Sequence, residues 1–188
     1  MHLIVDRTYE DVQRVKYLRM QKVLGLASKA ELAEWETDLK GAYNVSDLVR
    51  VENAVSALAT MLQLLPVKLQ QYAASLGVAW DRVWDVPYDP ENYVVETIQV
   101  WPVVFVLEAD LQRYLDNVYL LRSSLLSGSG GLPRTMRGLT WLGANAIEQT
   151  LLDLHKAIDQ TETKAKTQMY NASKTWYYSG ELYGGESA

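Results

Sequence analysis

The chain has 188 residues, 48% of them hydrophobic, with a formal net charge of -5 and no cysteine. That is ample apolar material for a packed core, and the acidic balance, without a Lys/Arg cluster, argues against a general nucleic-acid binder. The absence of cysteine excludes disulfides, thiolate metal sites and thiol nucleophiles.

The opening residues Met1 to Arg7 place acid and base directly after a three-residue apolar stretch, which reads as neither a secretory signal nor a membrane anchor. Thr8 is an N-cap with Asp11 in the capping-box position, and Val12, Val15, Leu18 and Val23 keep helical spacing, predicting a helix over 9–24. Ser28 and Glu31 repeat that start signal, and Leu32, Trp35 and Leu39 predict a second helix ended by Gly41. The short connection makes the two helices expected antiparallel neighbours. Ser46 is the expected opening of a third helix, striped by Leu48, Val51, Val55, Leu58, Met61 and Leu62 and stopped near Pro66. Residues 67–76 then predict a short fourth helix closed by Gly77.

From Trp80 to Pro102 the pattern changes. Trp80, Trp84, Pro87, Tyr88, Pro90, Tyr93 and Pro102 predict an extended loop, with strand character over 93–100. The longest apolar run, 100–107, is far shorter than the roughly 20 residues of a bilayer span. Helical spacing returns at Leu107, Leu111, Leu115, Val118, Leu121 and Leu125, and the run from Ser127 to Gly131 breaks it. A last long helix begins at Thr140, with Ile147, Leu151, Leu154, Ile158, Thr161 and Ala165 recurring by fours and threes; the seam is expected to fade after Ile158 and turn polar, as if the helix left the domain body. The chain therefore divides into an N-terminal helical segment (1–65), a short helix with a Trp/Pro-rich loop (66–106), a C-terminal helical segment (107–170) and an aromatic connector tail (171–188). The expected fold class is mainly α, a helical bundle with an extended insertion and a long C-terminal helix.

No catalytic constellation emerges. His2 and His155 stand far apart in sequence and without cysteine partners, so spacing alone builds no zinc ligand set. The Gly128 to Gly131 run lacks the Lys-Ser/Thr of a phosphate loop, and no Gly-x-Ser-x-Gly elbow is present. Glu34 and Glu36 flank Trp35, and Asp85 and Asp89 lie near Trp84 and Tyr88; paired acids beside aromatics are what a glycosidase uses, but acids on a helix surface or in a Pro-rich loop are more commonly solvated. No catalytic, cofactor or metal residue is assigned.

The aromatic usage carries more information. Six Trp and twelve Tyr stand against one Phe, and rings with polar tips suit boundaries between apolar and wet surface. They concentrate in the tail, where Trp176, Tyr177, Tyr178, Leu182 and Tyr183 are the expected interface anchors. Trp80, Trp84, Tyr88 and Tyr93 form the candidate ligand loop.

Three groups of motifs occur in a fixed order. The first is Asp6-Arg7-Thr8, Asp11-Val12 and Arg14, then Leu32-Ala33-Glu34-Trp35, Leu39 to Asn44, and Asp47 to Glu52. The second is Arg113 to Val118 with Leu121-Arg122. The third is Leu132-Pro133, Leu139-Thr140 and Ala144 to Glu148 with Leu151, closing with Tyr178 to Glu186. In this succession the chain resembles small structural proteins, tail, baseplate or tail-fibre-associated, of tailed bacteriophages and prophages of Gram-positive bacteria. The stretch from 66 to 106 departs from that pattern.

The resemblance implies a virion component made in the host bacterial cytoplasm. It also implies no enzymatic activity and no cofactor. The implied partners are other phage tail or baseplate proteins and copies of the chain itself; no nucleic-acid or membrane partner is expected from the charge and the apolar runs. Host-surface glycan or protein, met by the Trp80 to Tyr93 loop, is the alternative reading, and cell-wall glycan hydrolysis the weaker third.

Overall fold

A computed structural model describes residues 2–80, 108–126 and 131–182, with side chains to residue 174. Among these residues are five helices and no strand: α1 (Tyr9–Val23), α2 (Lys29–Trp35), α3 (Val45–Ser75), α4 (Glu108–Leu125) and α5 (Trp141–Leu182). The architecture is mainly α. Trp84, Tyr88, Tyr93 and the predicted 93–100 strand lie outside the described residues.

The local start signals act as expected. At α1 the Asp11 N–H donates to Thr8 Oγ1 at 3.2 Å while the Thr8 N–H donates to the Asp11 carboxylate at 2.8 Å. Ser28 and Glu31 repeat this reciprocal cap at α2. Helix α2 nevertheless stops at Trp35 rather than at Gly41. It has no fully buried residue to reward a longer helix, and polar groups take over locally, with Thr37 donating from Oγ1 to the Glu34 carbonyl at 2.6 Å. The two helices do pack as neighbours, tied by Arg14 and Glu34 at 2.6 Å and by Lys22 over the Trp35 ring.

Helix α3 departs from expectation at both ends of its first half. Its N-cap is Asn44 and not Ser46: the Asn44 side chain accepts from the Ser46 and Asp47 N–H groups, and Asp47 closes the box. It also runs straight through Pro66 for 31 residues, so the stop near Pro66 and the separate helix over 67–76 do not exist. An internal proline forfeits a backbone hydrogen bond and typically costs about 3 kcal/mol. Here the buried face continues without a break from Leu58 and Leu62 to Leu65, Leu69 and Ala73, so packing outweighs the local penalty. The helix closes where the sequence indicates. Gly77 adopts φ 65°, and the Val78 N–H reaches back to the Ala73 carbonyl at 3.0 Å.

Helices α3, α4 and α5 pack on one another in two tiers. The larger joins Val51, Val55, Leu58 and Leu62 of α3 to Tyr114, Leu115, Val118 and Leu121 of α4 and to Ile147, Leu151, Leu154 and Ile158 of α5. The second lies farther along and brings Leu65, Leu69 and Ala73 against Ala165 and Met169. The expectation that α5 leaves the body after Ile158 is therefore corrected: small and flexible side chains continue the seam, and Ser173 is buried beyond them. The helix then extends to Leu182, into residues assigned from sequence to the tail. Helix α3 is long and apolar enough to cross a membrane by length and composition, but its apolar face is the one covered by α4 and α5.

Gly41 fixes α1 onto this body. A Cβ at that position would coincide with the Asp11 carbonyl and the Val12 nitrogen, backbone atoms that cannot rotate away. Gly41→Ala should lower the unfolding free energy by about 1 to 3 kcal/mol, read as a lower urea midpoint at unchanged slope. An unchanged midpoint would contradict the close approach.

Candidate functional site

The most heavily built polar feature joins residues from opposite ends of the chain. Asp47 and Arg50 stand on the first turns of α3, Glu148 and Asn145 on the early turns of α5, and Arg7 comes from the segment before α1. Arg7 donates from Nη2 to Asp47 Oδ1 at 2.6 Å and to Glu148 Oε1 at 2.8 Å. Arg50 donates to both Glu148 oxygens, from Nη2 at 2.9 Å and from Nε at 3.1 Å, and also to Asp47. Arg7 is 2% exposed, Asp47 4% and Glu148 0%. One cation and both anions are thus closed off from water, and Arg50, whose side chain is 19% exposed, completes a neutral set from its edge.

Neutral groups hold the segment before α1 in register. The Ile4 N–H donates to Glu148 Oε2 at 2.6 Å, and Arg7 Nη1 returns a bond to the Ile4 carbonyl at 2.6 Å. Asn145 pairs with the Arg7 backbone in both directions, accepting at 3.2 Å and donating at 2.9 Å. The Arg7 guanidinium lies 5.4 Å from the centroid of the Tyr43 ring, and the Tyr43 hydroxyl is bonded to that of Tyr114 on α4. The segment before α1, the turn before α3, and helices α3, α4 and α5 all meet here.

The electrostatics are those of a clamp. Burial alone would push Arg50 down, but the Glu148 and Asp47 carboxylates outweigh it and hold the guanidinium above its ordinary value. Burial pushes the Tyr43 phenol well above 10.0, against the hydrogen bond with Tyr114, and Tyr114 rises for the same reason with Tyr43 adding to it. Carboxylates saturated by guanidinium groups and shut away from water present no free acid or base to a substrate.

Other candidate residues do not converge. Glu34 is held below the ordinary carboxylate range by the Arg14 hydrogen bonds, and Glu36 pairs with Lys22 at 3.4 Å. Each belongs to a surface ion pair with its own cation; Asp85 and Asp89 lie outside the described residues. Trp80 is half-buried against the second core tier, and Trp84, Tyr88 and Tyr93 lie outside the described residues. Trp176, Tyr177, Tyr178 and Leu182 fall within α5, but their side chains, like Tyr183 altogether, lie outside the described ones. His2 and His155 do line one shallow groove of about 360 Å³, with Arg50 and Met61. No group of three or more His, Asp or Glu residues placed to hold a metal occurs among the described residues.

The cluster residues carried no assigned role in the sequence. Arg7, Tyr43, Asp47, Arg50, Tyr114, Asn145 and Glu148 all sit inside the ordered motifs quoted above, yet each motif is too short to declare its partner. The available signal was Glu148, which falls four residues after Ala144 and beside Ile147, on the apolar face of its helix. A comparison with known proteins finds no significant match to any family model, curated protein or solved structure.

Glu148→Gln should destabilise the fold by about 3 to 5 kcal/mol, because it leaves buried guanidinium charge uncompensated; thermal or urea melts check this. A loss under about 1 kcal/mol, the range of an exposed pair, would contradict the burial. The tyrosine pair gives a pH signature. With folded-state values raised above the unfolded value of 10.0, the stability they contribute is complete below pH 10 and is lost as pH rises beyond it. Urea midpoints should fall more steeply above pH 10 in the native chain than in a Tyr43→Phe/Tyr114→Phe variant.

Proposed function

We propose that this chain is a structural subunit of a bacteriophage tail, in the distal tail, baseplate or fibre-attachment region, acting through protein-protein contacts and without catalysis. The observation that carries the reading is the destination of the ordered motifs. Arg7, Tyr43, Asp47, Arg50, Tyr114, Asn145 and Glu148, all from those motifs, come together in one largely buried cluster, which supports a structural reading of them.

The surface adds support. Met20, Val23, Leu24 and Leu26, at and just past the end of α1, are all more than half exposed, an apolar group that a neighbour would cover. In this reading the Trp/Pro-rich stretch between α3 and α4 is an extended insertion, and the aromatic residues at the end of α5 and beyond are a connector to other tail proteins or to further copies. Trp80 lies against the second core tier, which weakens the alternative of a four-ring glycan platform.

The geometry sharpens the truncation that tests this. A chain ending at Lys174 keeps every described buried side chain, Ser173 included. It should melt within a few degrees of the full chain and yet be missing from purified particles, as read by immunoblot. Normal incorporation of the shortened chain would refute the connector role.

A further inference from the structure

Between the start of α1, the Gly41 to Tyr43 turn and the start of α5 lies an open groove of about 430 Å³. Tyr9, Tyr43, Trp141 and Leu142 supply its apolar walls, and Tyr9 and Leu142 are 58% and 61% exposed. Of the two charged residues that line it, Arg7 is already matched by Asp47 and Glu148, and Lys16 is exposed. Lys16 forms no ion pair among the described residues. Arg7, buried at 2% exposure, has an Nε with no acceptor among the described residues. Thr140 meets the N–H groups of Gly143 and Ala144, while those of Trp141 and Leu142, at the positive end of a 42-residue helix, are left for an outside acceptor.

An occupant for this groove should offer an aromatic ring, a carboxylate a few residues away and a backbone slim enough to enter. Tyr183-Gly184-Gly185-Glu186 has that composition, and no cation lies between Lys174 and the end of the sequence given. The same chain cannot deliver it. Helix α5 begins at the groove and ends at Leu182, about 60 Å away at 1.5 Å per residue. Four further residues reach at most about 14 Å when extended.

We propose that the groove receives the Tyr183 to Glu186 segment of a second copy of this chain, with the Tyr183 ring against Trp141 and Leu142 and the Glu186 carboxylate on Lys16 and the first N–H groups of α5. This deepens the reading of the chain as an assembling subunit and names one of its contacts. It makes the association head-to-tail, so each copy offers a free groove at one end and a free segment at the other.

The test is self-association of the full-length chain by sedimentation velocity, with circular dichroism to confirm that variants are folded. Lys16→Glu and Glu186→Lys change exposed or terminal positions, and each alone should weaken association by about tenfold or more. The two changes combined in one chain, or the two single variants mixed, should recover it. A full-length chain that stays monomeric, association indifferent to either change, or a double variant that fails to recover would each overturn the assignment. If Lys16→Glu abolishes incorporation into particles while the native chain is monomeric in solution, the groove belongs to a different tail protein and the self-docking proposal fails. Because the readout is association of purified protein, it is independent of the particle test of the structural role.

Discussion

Removing a guanidinium group and two carboxylates from water, and a second guanidinium group in part, is unfavourable by several kcal/mol per buried ion unless opposite charges and hydrogen bonds meet them inside. Arg7, Asp47, Arg50 and Glu148 are met in this way only when the segment before α1, the start of α3 and the start of α5 are all in place. Apolar packing alone would tolerate small slides between α3 and α5, since one leucine is much like another. The charge cluster does not, because a shift of one turn would leave a buried ion without its partner. It therefore sets the register in which the larger hydrophobic tier closes, and Tyr114, bonded to Tyr43, extends the same constraint to α4.

From that registered end the structure continues along a single pair of helices. The upper tier has three helices around it, whereas the second tier rests on α3 and α5, with Tyr72, Leu76 and Trp80 packed at its edge. Its residues on α5 are Ala165 and Met169, a small side chain that lets the helices approach and a flexible one that fills what remains. Pro66 lies within the second tier, directly after Leu65, where α3 packs on α5.

How much of this could be read from the sequence depended on how far apart the interacting residues are. The starts of α1 and α2 were legible because Thr8 with Asp11 and Ser28 with Glu31 are partners three residues apart. The passage through Pro66 was not legible, because the local rule is set aside by contacts of Leu65 and Leu69 with Ala165 and Met169, about a hundred positions away. The fading seam of α5 was misread for a related reason: alanine and methionine look weakly apolar until the surface they fill is known. The cluster was the hardest to see. Arg7 and Glu148 are 141 positions apart, and only a carboxylate on an apolar helical face hinted that a cation had to arrive from elsewhere.

The length of α5 has a further consequence. A continuous helix couples translation to rotation, about 1.5 Å and 100° for every residue. The groove at the head of α5 and the residues at its far end are therefore related by a fixed azimuth as well as a fixed distance. Inserting one residue beyond the second tier would hardly change the reach, yet it would turn the far end by more than a quarter of a circle. The residue count of α5 thus fixes both how far its end lies from the groove and the direction in which that end faces.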